Sequence, residues 1–200
     1  MDELDSEFMK KSVKKANLLT GNMSKTIDDF RNFFKPNKIE ESFNINDSIN
    51  KSVSLVESSF ENNNIEMKIN YSEKSLVVRG YPNEFSQALV NLLNNAKDAF
   101  LESTDEIKSK KLIINSYNNS KYAIVEIIDN AMGIDVEIIE KIFDPYFSTK
   151  EEGKGVGIGL YMTKMIIEKN MNGLISVSNL ENGVIFTIKL PLEIIDGQEE

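Results

Sequence analysis

The segment LVNLLNNAKDAF, residues 89–100, carries two interleaved faces. Leu89, Leu92, Ala96 and Ala99 fall on one helical stripe, and Asn91, Asn95 and Asp98 repeat at i, i+4 and i+7 on the stripe beside it. Pro82 and Glu84 suit the first turn of a helix running over 82–101. Asparagine is a middling helix former, because its amide competes for backbone hydrogen bonds, so two of them aligned in mid-helix require a reason. Surface solubility is one. A row of oxygen ligands facing a hard cation such as Mg²⁺ is the other.

Downstream, YAIVEIIDNAMGI (122–134) alternates so that Asp129 shares a strand face with Ala123, Val125 and Ile127. A carboxylate ending an apolar face is costly unless it meets a hydrogen-bond donor. The exocyclic amine of adenine is such a donor, and the turn NAMG would let a flat ring approach the backbone. Capping of a following short helix is the alternative use of Asp129. IFDPYFSTK (142–150) places Phe143 and Phe147 around Asp-Pro and ends in Ser148, Thr149 and Lys150. It reads either as a loop pinned by two phenylalanines or as a lid whose Lys150 and Lys154 reach phosphate oxygens. GKGVGIGLYMTK (153–164) then sets Gly153, Gly155, Gly157 and Gly159 directly before a helical pattern. Such glycines turn backbone N–H groups toward an anion, and a helix N-terminus adds partial positive charge; a flexible loop with a helix cap is the plainer reading. The stretch matches neither the G-x-x-x-x-G-K-[ST] nor the G-x-G-x-x-G fingerprint.

The remaining elements alternate in kind. Ile49, Val53, Val56 and Phe60 predict a helix, and NIEMKINY and SLVVRGY two short strands. KLIINSYN and YAIVEIID predict longer strands, a helix follows over about 157–169, and GLISVSN and VIFTIKL close the chain as a final pair. Strands interspersed with helices that need not be parallel crossovers indicate an α+β two-layer sandwich. Ahead of it, Met9, Val13, Ala16, Thr20, Met23, Ile27, Phe30 and Phe34 step by fours and threes, a heptad seam that Pro36 ends. The expected organisation is a long coiled-coil-like helix over 1–36, a globular domain over 37–195 after the link KPNKIEESF, and a disordered tail over 196–200.

Composition narrows the chemistry. A net charge of −9 argues against nucleic acid as a partner. The absence of cysteine and histidine removes disulfides, thiolate or imidazole metal sites and histidine acid–base catalysis from these 200 residues. No apolar run approaches the ~20 residues that span a bilayer, and the acidic start MDELDSEF is unlike a signal peptide.

In this order and spacing, NLLNNAKDA, DNAMGI, FDPYFSTK and GKGVGIGL closely resemble the N, G1, F and G2 boxes of the histidine-kinase catalytic domain, a member of the GHKL superfamily with the Bergerat ATP-binding fold. The resemblance covers roughly 40–192, and MSKTIDDFRNFFKP (23–36) looks like the second helix of the dimerisation and histidine-phosphotransfer bundle. It implies ATP and Mg²⁺ as ligands, with Asn95 coordinating the metal, Asn91 beside the phosphates and Asp98 on the same wall. Asp129 would accept the adenine N6 hydrogen, with Ala131, Gly133 and Ile134 forming the turn around the base. Phe143 and Phe147 would anchor the lid, Thr149, Lys150 and Lys154 would meet phosphate, and Gly155, Val156, Gly157, Ile158, Gly159 and Leu160 would wrap the triphosphate. The implied partners are a response-regulator receiver domain and a second copy, paired through the N-terminal helix. The implied location is the cytoplasm, with any anchoring in the inner membrane through upstream segments.

Two positions depart from the family pattern. The G1 block usually reads Asp-x-Gly-x-Gly, whereas Ala131 occupies its middle position here, and alanine takes positive φ only at a cost. The phosphoacceptor histidine is missing, so the chain reads as a fragment beginning after it, expected not to autophosphorylate alone. GHKL hydrolases of the gyrase, MutL and heat-shock chaperone type carry a glutamate base where this chain has Asn91, which disfavours hydrolysis. An anti-sigma-factor serine kinase is disfavoured by the heptad helix, and a nucleotide-binding scaffold without transfer stands as the non-enzymatic alternative.

Overall fold

The structure is a computed structural model describing residues 8–14, 16–17, 20–21, 39–103, 107–150 and 156–193. Its base is a five-stranded mixed sheet in the order β2-β4-β5-β7-β6, with β2 (Ile65–Asn70), β4 (Lys110–Asn118), β5 (Tyr122–Asp129), β6 (Leu174–Asn179) and β7 (Val184–Pro191). β2 and β4 are parallel and the other pairs antiparallel. The period-2 alternation of these strands sends Leu112, Ile114, Val125, Ile127, Phe186 and Ile188 to a buried face, while Asn115, Glu126, Thr187 and Lys189 occupy the other. That pattern belongs to a sheet covered on one side.

The covering layer holds α1 (Ile45–Glu61), α2 (Pro82–Glu102) and α3 (Gly159–Lys164), the last running on into a π-helical segment, Met165–Asn170. Asn44 caps α1 by accepting the Asn46 N–H at 2.8 Å, and Asp47 in the first turn complements the helix dipole. Pro82 starts α2, where its missing N–H costs nothing. Ile45, Ile49, Val53, Val56 and Phe60 of α1 meet Phe85, Leu89, Leu92, Leu93 and Phe100 of α2 in one core with the sheet. The α+β two-layer sandwich expected from the sequence is the fold observed.

Two details differ from the sequence-based expectation. Residues read as link include a strand, β1 (Glu41–Asn44), which pairs antiparallel with β3 (Val77–Gly80) in a separate two-stranded sheet. A four-residue strand that exists only by pairing 33–39 residues away leaves no local periodicity to read. SLVVRGY, expected as a short strand, supplies β3 of that ribbon. The helix expected from about residue 157 starts at Gly159, because Gly157 has φ +70° and lies outside helical space.

In the N-terminal segment, Phe8–Lys14 are helical and Met9 and Val13 are exposed, as are Ala16 and Thr20. The Thr20 hydroxyl donates to the Ala16 carbonyl at 2.8 Å, a helical i−4 bond. Met23, Ile27, Phe30 and Phe34 of the expected seam, the expected boundary at residues 36–37 and the expected tail over 196–200 lie outside the described residues.

Leu92 is fully buried where α2 meets the sheet. Leu92→Ala is expected to cost about 2–5 kcal/mol by transfer and cavity terms. In urea unfolding this appears as a lower midpoint at constant slope.

Candidate ATP-binding site

β5 ends at Asp129, which is 4% exposed at the floor of a cleft of about 650 Å³ between α2 and the segments 132–150 and 156–162. Its Oδ1 accepts the Ala131 N–H at 3.0 Å, and the Val184 N–H also bonds the carboxylate. Burial pushes the Asp129 carboxyl up from 3.8 to about 6, against the lowering effect of those two donors. The bond to Ala131 is a local Asx-type contact on the cleft floor; the capping role weighed in the sequence finds no helix directly after Asp129 among the described residues.

The loop after Asp129 carries Ala131 without positive φ, so alanine fits there with ordinary dihedrals. Asn130 fastens the loop entrance: its Oδ1 accepts the Lys111 N–H at 2.7 Å and its Nδ2 donates to the Ser109 carbonyl at 2.8 Å. Asn179 fastens the exit, where its Oδ1 accepts the Ile134 N–H at 2.8 Å and its Nδ2 donates to the Ile134 carbonyl at 2.6 Å. Gly183, at φ +94°, closes the β6–β7 turn so tightly that a Cβ would lie 1.9 Å from the Asp129 carbonyl oxygen. Sequence reasoning missed these three residues. The Asn182-Gly183 pair is a hairpin signal that could have exposed one of them; the two asparagine clamps leave no local trace.

Asn91, Asn95 and Asp98 all line the cleft along one wall of α2. The Asn91 amide lies 3.5 Å from the Gly159 carbonyl, a long contact, and the Thr163 hydroxyl donates to that carbonyl at 3.0 Å. Opposite, Lys150 forms an ion pair with Asp98, Nζ to Oδ2 at 2.5 Å. Phe147, Thr149, Lys150, Val156, Gly157, Ile158, Gly159 and Leu160 line the cleft, as do Gly133 and Ile134. Ala131 and Phe143 do not. Phe143 packs edge-on to Phe186 at 6.4 Å, with the Lys164 ammonium 5.5 Å from its ring centroid, and so pins the segment to β7 from behind. Lys154 and Gly155 lie outside the described residues. Gly157 is required where it stands, since a Cβ would come within 2.6 Å of the Phe147 carbonyl and closer still to Tyr146.

No group of three or more carboxylate, imidazole or thiolate ligands occurs among the described residues. The wall offers amide oxygens from Asn91 and Asn95, a donor set that fits Mg²⁺ when phosphate and water supply its remaining ligands.

Residues 80–194 match the family described as histidine kinase-, DNA gyrase B-, and HSP90-like ATPase. The chain belongs to this ATPase family. Within the family its similarity runs to sensor kinases. The two-component sensor PprA of Pseudomonas aeruginosa is 35% identical over 130 residues, 64% of this chain and 14% of that protein. The nucleotide-free catalytic domain of histidine kinase ThkA matches the ATPase fold with a TM-score of 0.67 at 31% identity, over 78% of this chain and 97% of that one. Histidine kinase ThkA in complex with response regulator TrrA matches with a TM-score of 0.71 at 26% identity, over 96% of this chain and 53% of that one. The ATPase chain thus spans only a small part of the length of the sensor PprA.

The raised Asp129 pKa gives a signed prediction. Between pH 4 and 6 the folded state keeps a proton that the unfolded state has released, so this group's contribution to stability falls as pH rises through that window. Asp129→Asn lacks the effect. The stability of the variant relative to wild type should rise by about 2–3 kcal/mol between pH 4 and pH 7. Urea unfolding at the two pH values reads it, and a pH-independent difference would contradict the assignment.

Proposed function

We propose that this chain binds ATP with Mg²⁺ and presents the γ-phosphate to a histidine imidazole, from which the phosphoryl group passes to an aspartate of a response regulator. The observation that carries the reading is the composition of the cleft. A buried carboxylate forms its floor, amides Asn91 and Asn95 line its α2 wall, and no carboxylate stands one turn before Asn95.

Asp129 in its ionised form accepts a hydrogen from the adenine amine, which fixes the base end. Asn95, with Asn91 one turn earlier, would hold the metal and meet the phosphates; Mg²⁺, when bound, would offset the charge of the phosphate oxygens. Lys150 reaches phosphate by leaving Asp98. The imidazole nitrogen then forms its bond to the γ-phosphorus as the bond to the bridging oxygen breaks and ADP leaves. Because that transition state is loose, positioning and charge neutralisation are what the residues must supply. Water is a poor competitor, since the Asn91 amide cannot take its proton at neutral pH. The acceptor histidine lies outside these 200 residues, which contain none.

The exposed Met9 and Val13 support pairing of the N-terminal helix with a second copy. No helix among the described residues is long and apolar enough to cross a membrane.

Calorimetric titration with a non-hydrolysable ATP analogue tests the reading. Binding is expected to depend on Mg²⁺, to fall at least tenfold (about 1.4 kcal/mol) in Asn95→Ala, and to be lost in Asp129→Ala. Affinity should also decline below about pH 6 as Asp129 takes up its proton. Wild-type protein that ignores the analogue at millimolar concentration would sink the proposal, and steady ATP hydrolysis would redirect it to the hydrolase branch of the family.

A further inference from the structure

We infer that Asn179 is a positioning residue for the base end of the site, and that its amide clamp on Ile134 sets how sharply the cleft separates adenine from a 6-oxopurine. The inference rests on the ATP reading above and extends it to a residue that does not line the cleft.

The loop from Asn130 to Asp135 belongs to no helix or strand. It nevertheless has to hold Asp129 and Gly133 at a fixed distance from a flat ring, because a hydrogen bond weakens steeply with a few tenths of an ångström or a poor angle. The Asn130 clamp ties the loop entrance to the start of β4. The Asn179 clamp ties its exit to the end of β6, and its carboxamide serves the Ile134 N–H and C=O together, as a strand neighbour would. One acceptor and one donor side by side are needed, a pair that Asp or Leu cannot offer.

The placement of Asn179 also ties it to the carboxylate. The β6–β7 turn that begins at Asn179 closes on Gly183, which packs against the Asp129 backbone, and continues to Val184, whose N–H bonds the Asp129 side chain. The Leu180 N–H donates to the Gly183 carbonyl at 3.0 Å and holds that turn shut. Gly133 lies against the same carboxamide, with room for a Cβ only 3.3 Å from Asn179 Oδ1. One hairpin thus fixes both sides of the base loop. Asn179 is exposed, so water could satisfy Ile134 in its absence. What the clamp adds is position, not relief of a buried polar group.

A 6-oxopurine presents an acceptor where adenine presents a donor, so the fixed Asp129 carboxylate repels it. Loosening the loop lets the carboxylate move away and reduces that penalty.

The test uses the full chain as wild type, Asn179→Ala and Asn179→Asp, each titrated with Mg²⁺ and three probes: a non-hydrolysable ATP analogue, its inosine counterpart and inorganic triphosphate. Exchange of the Ile134 amide proton is followed by NMR. Asn179→Ala is expected to weaken the ATP analogue about five- to tenfold, the value of two exposed hydrogen bonds, and to narrow the ATP-to-inosine ratio. Triphosphate binding should be unchanged, and Ile134 exchange faster. Asn179→Asp, which keeps the acceptor alone, should fall between. Equal losses for triphosphate and ATP, or an unchanged base ratio, would overturn the inference, as would unchanged Ile134 exchange. Wild-type protein that binds no ATP analogue, with Ile134 exchange still faster in Asn179→Ala, would instead locate the failure in the ATP reading.

Discussion

Everything around the cleft answers to one buried carboxylate. Asp129 sits on the core-facing side of β5, where its neighbours at the same face are Val125 and Ile127, and desolvation alone would favour its neutral form. Two backbone donors hold it only part of the way back toward its ordinary acidity. A fold that keeps such a group at the end of a central strand retains a standing demand for a donor. The sheet register explains how it is kept there: Leu112 of β4 and Val184 of β7 flank Asp129 on either side, so the strand end cannot slip without exposing its whole apolar face.

Much of this was legible in the sequence because it is periodic. The alternation in β4, β5 and β7 and the apolar stripes of α1 and α2 follow directly from geometry, and Asn91, Asn95 and Asp98 on one helical row do line one wall. The site residues that were missed act across long sequence separations. Asn179 meets Ile134 across 45 residues, and β1 exists through its pairing with β3. Neither has a local propensity that reports the contact. Ala131 illustrates the converse case: the departure from glycine looked consequential in the sequence, yet the backbone there never enters the left-handed region.

The two phenylalanines of the 142–150 segment divide the labour. Phe147 faces the cleft, whereas Phe143 is held between Phe186 and Lys164. The sequence shows an aromatic pair; which member turns inward depends on the positive φ of Tyr146 between them, which reverses the chain so that Gly157 can close against it.

The ion pair between Lys150 and Asp98 has a consequence for how the cleft responds to its ionic surroundings. The ammonium that would greet a polyphosphate already has a built-in counterion, so an arriving anion exchanges one partner for another and does not meet a bare charge. Added salt screens the old pairing and the new one alike. A polyphosphate would therefore meet a site with part of its ionic-strength dependence cancelled from within, a form of buffering that suits a chain carrying a net charge of −9 if its ligand is itself an anion.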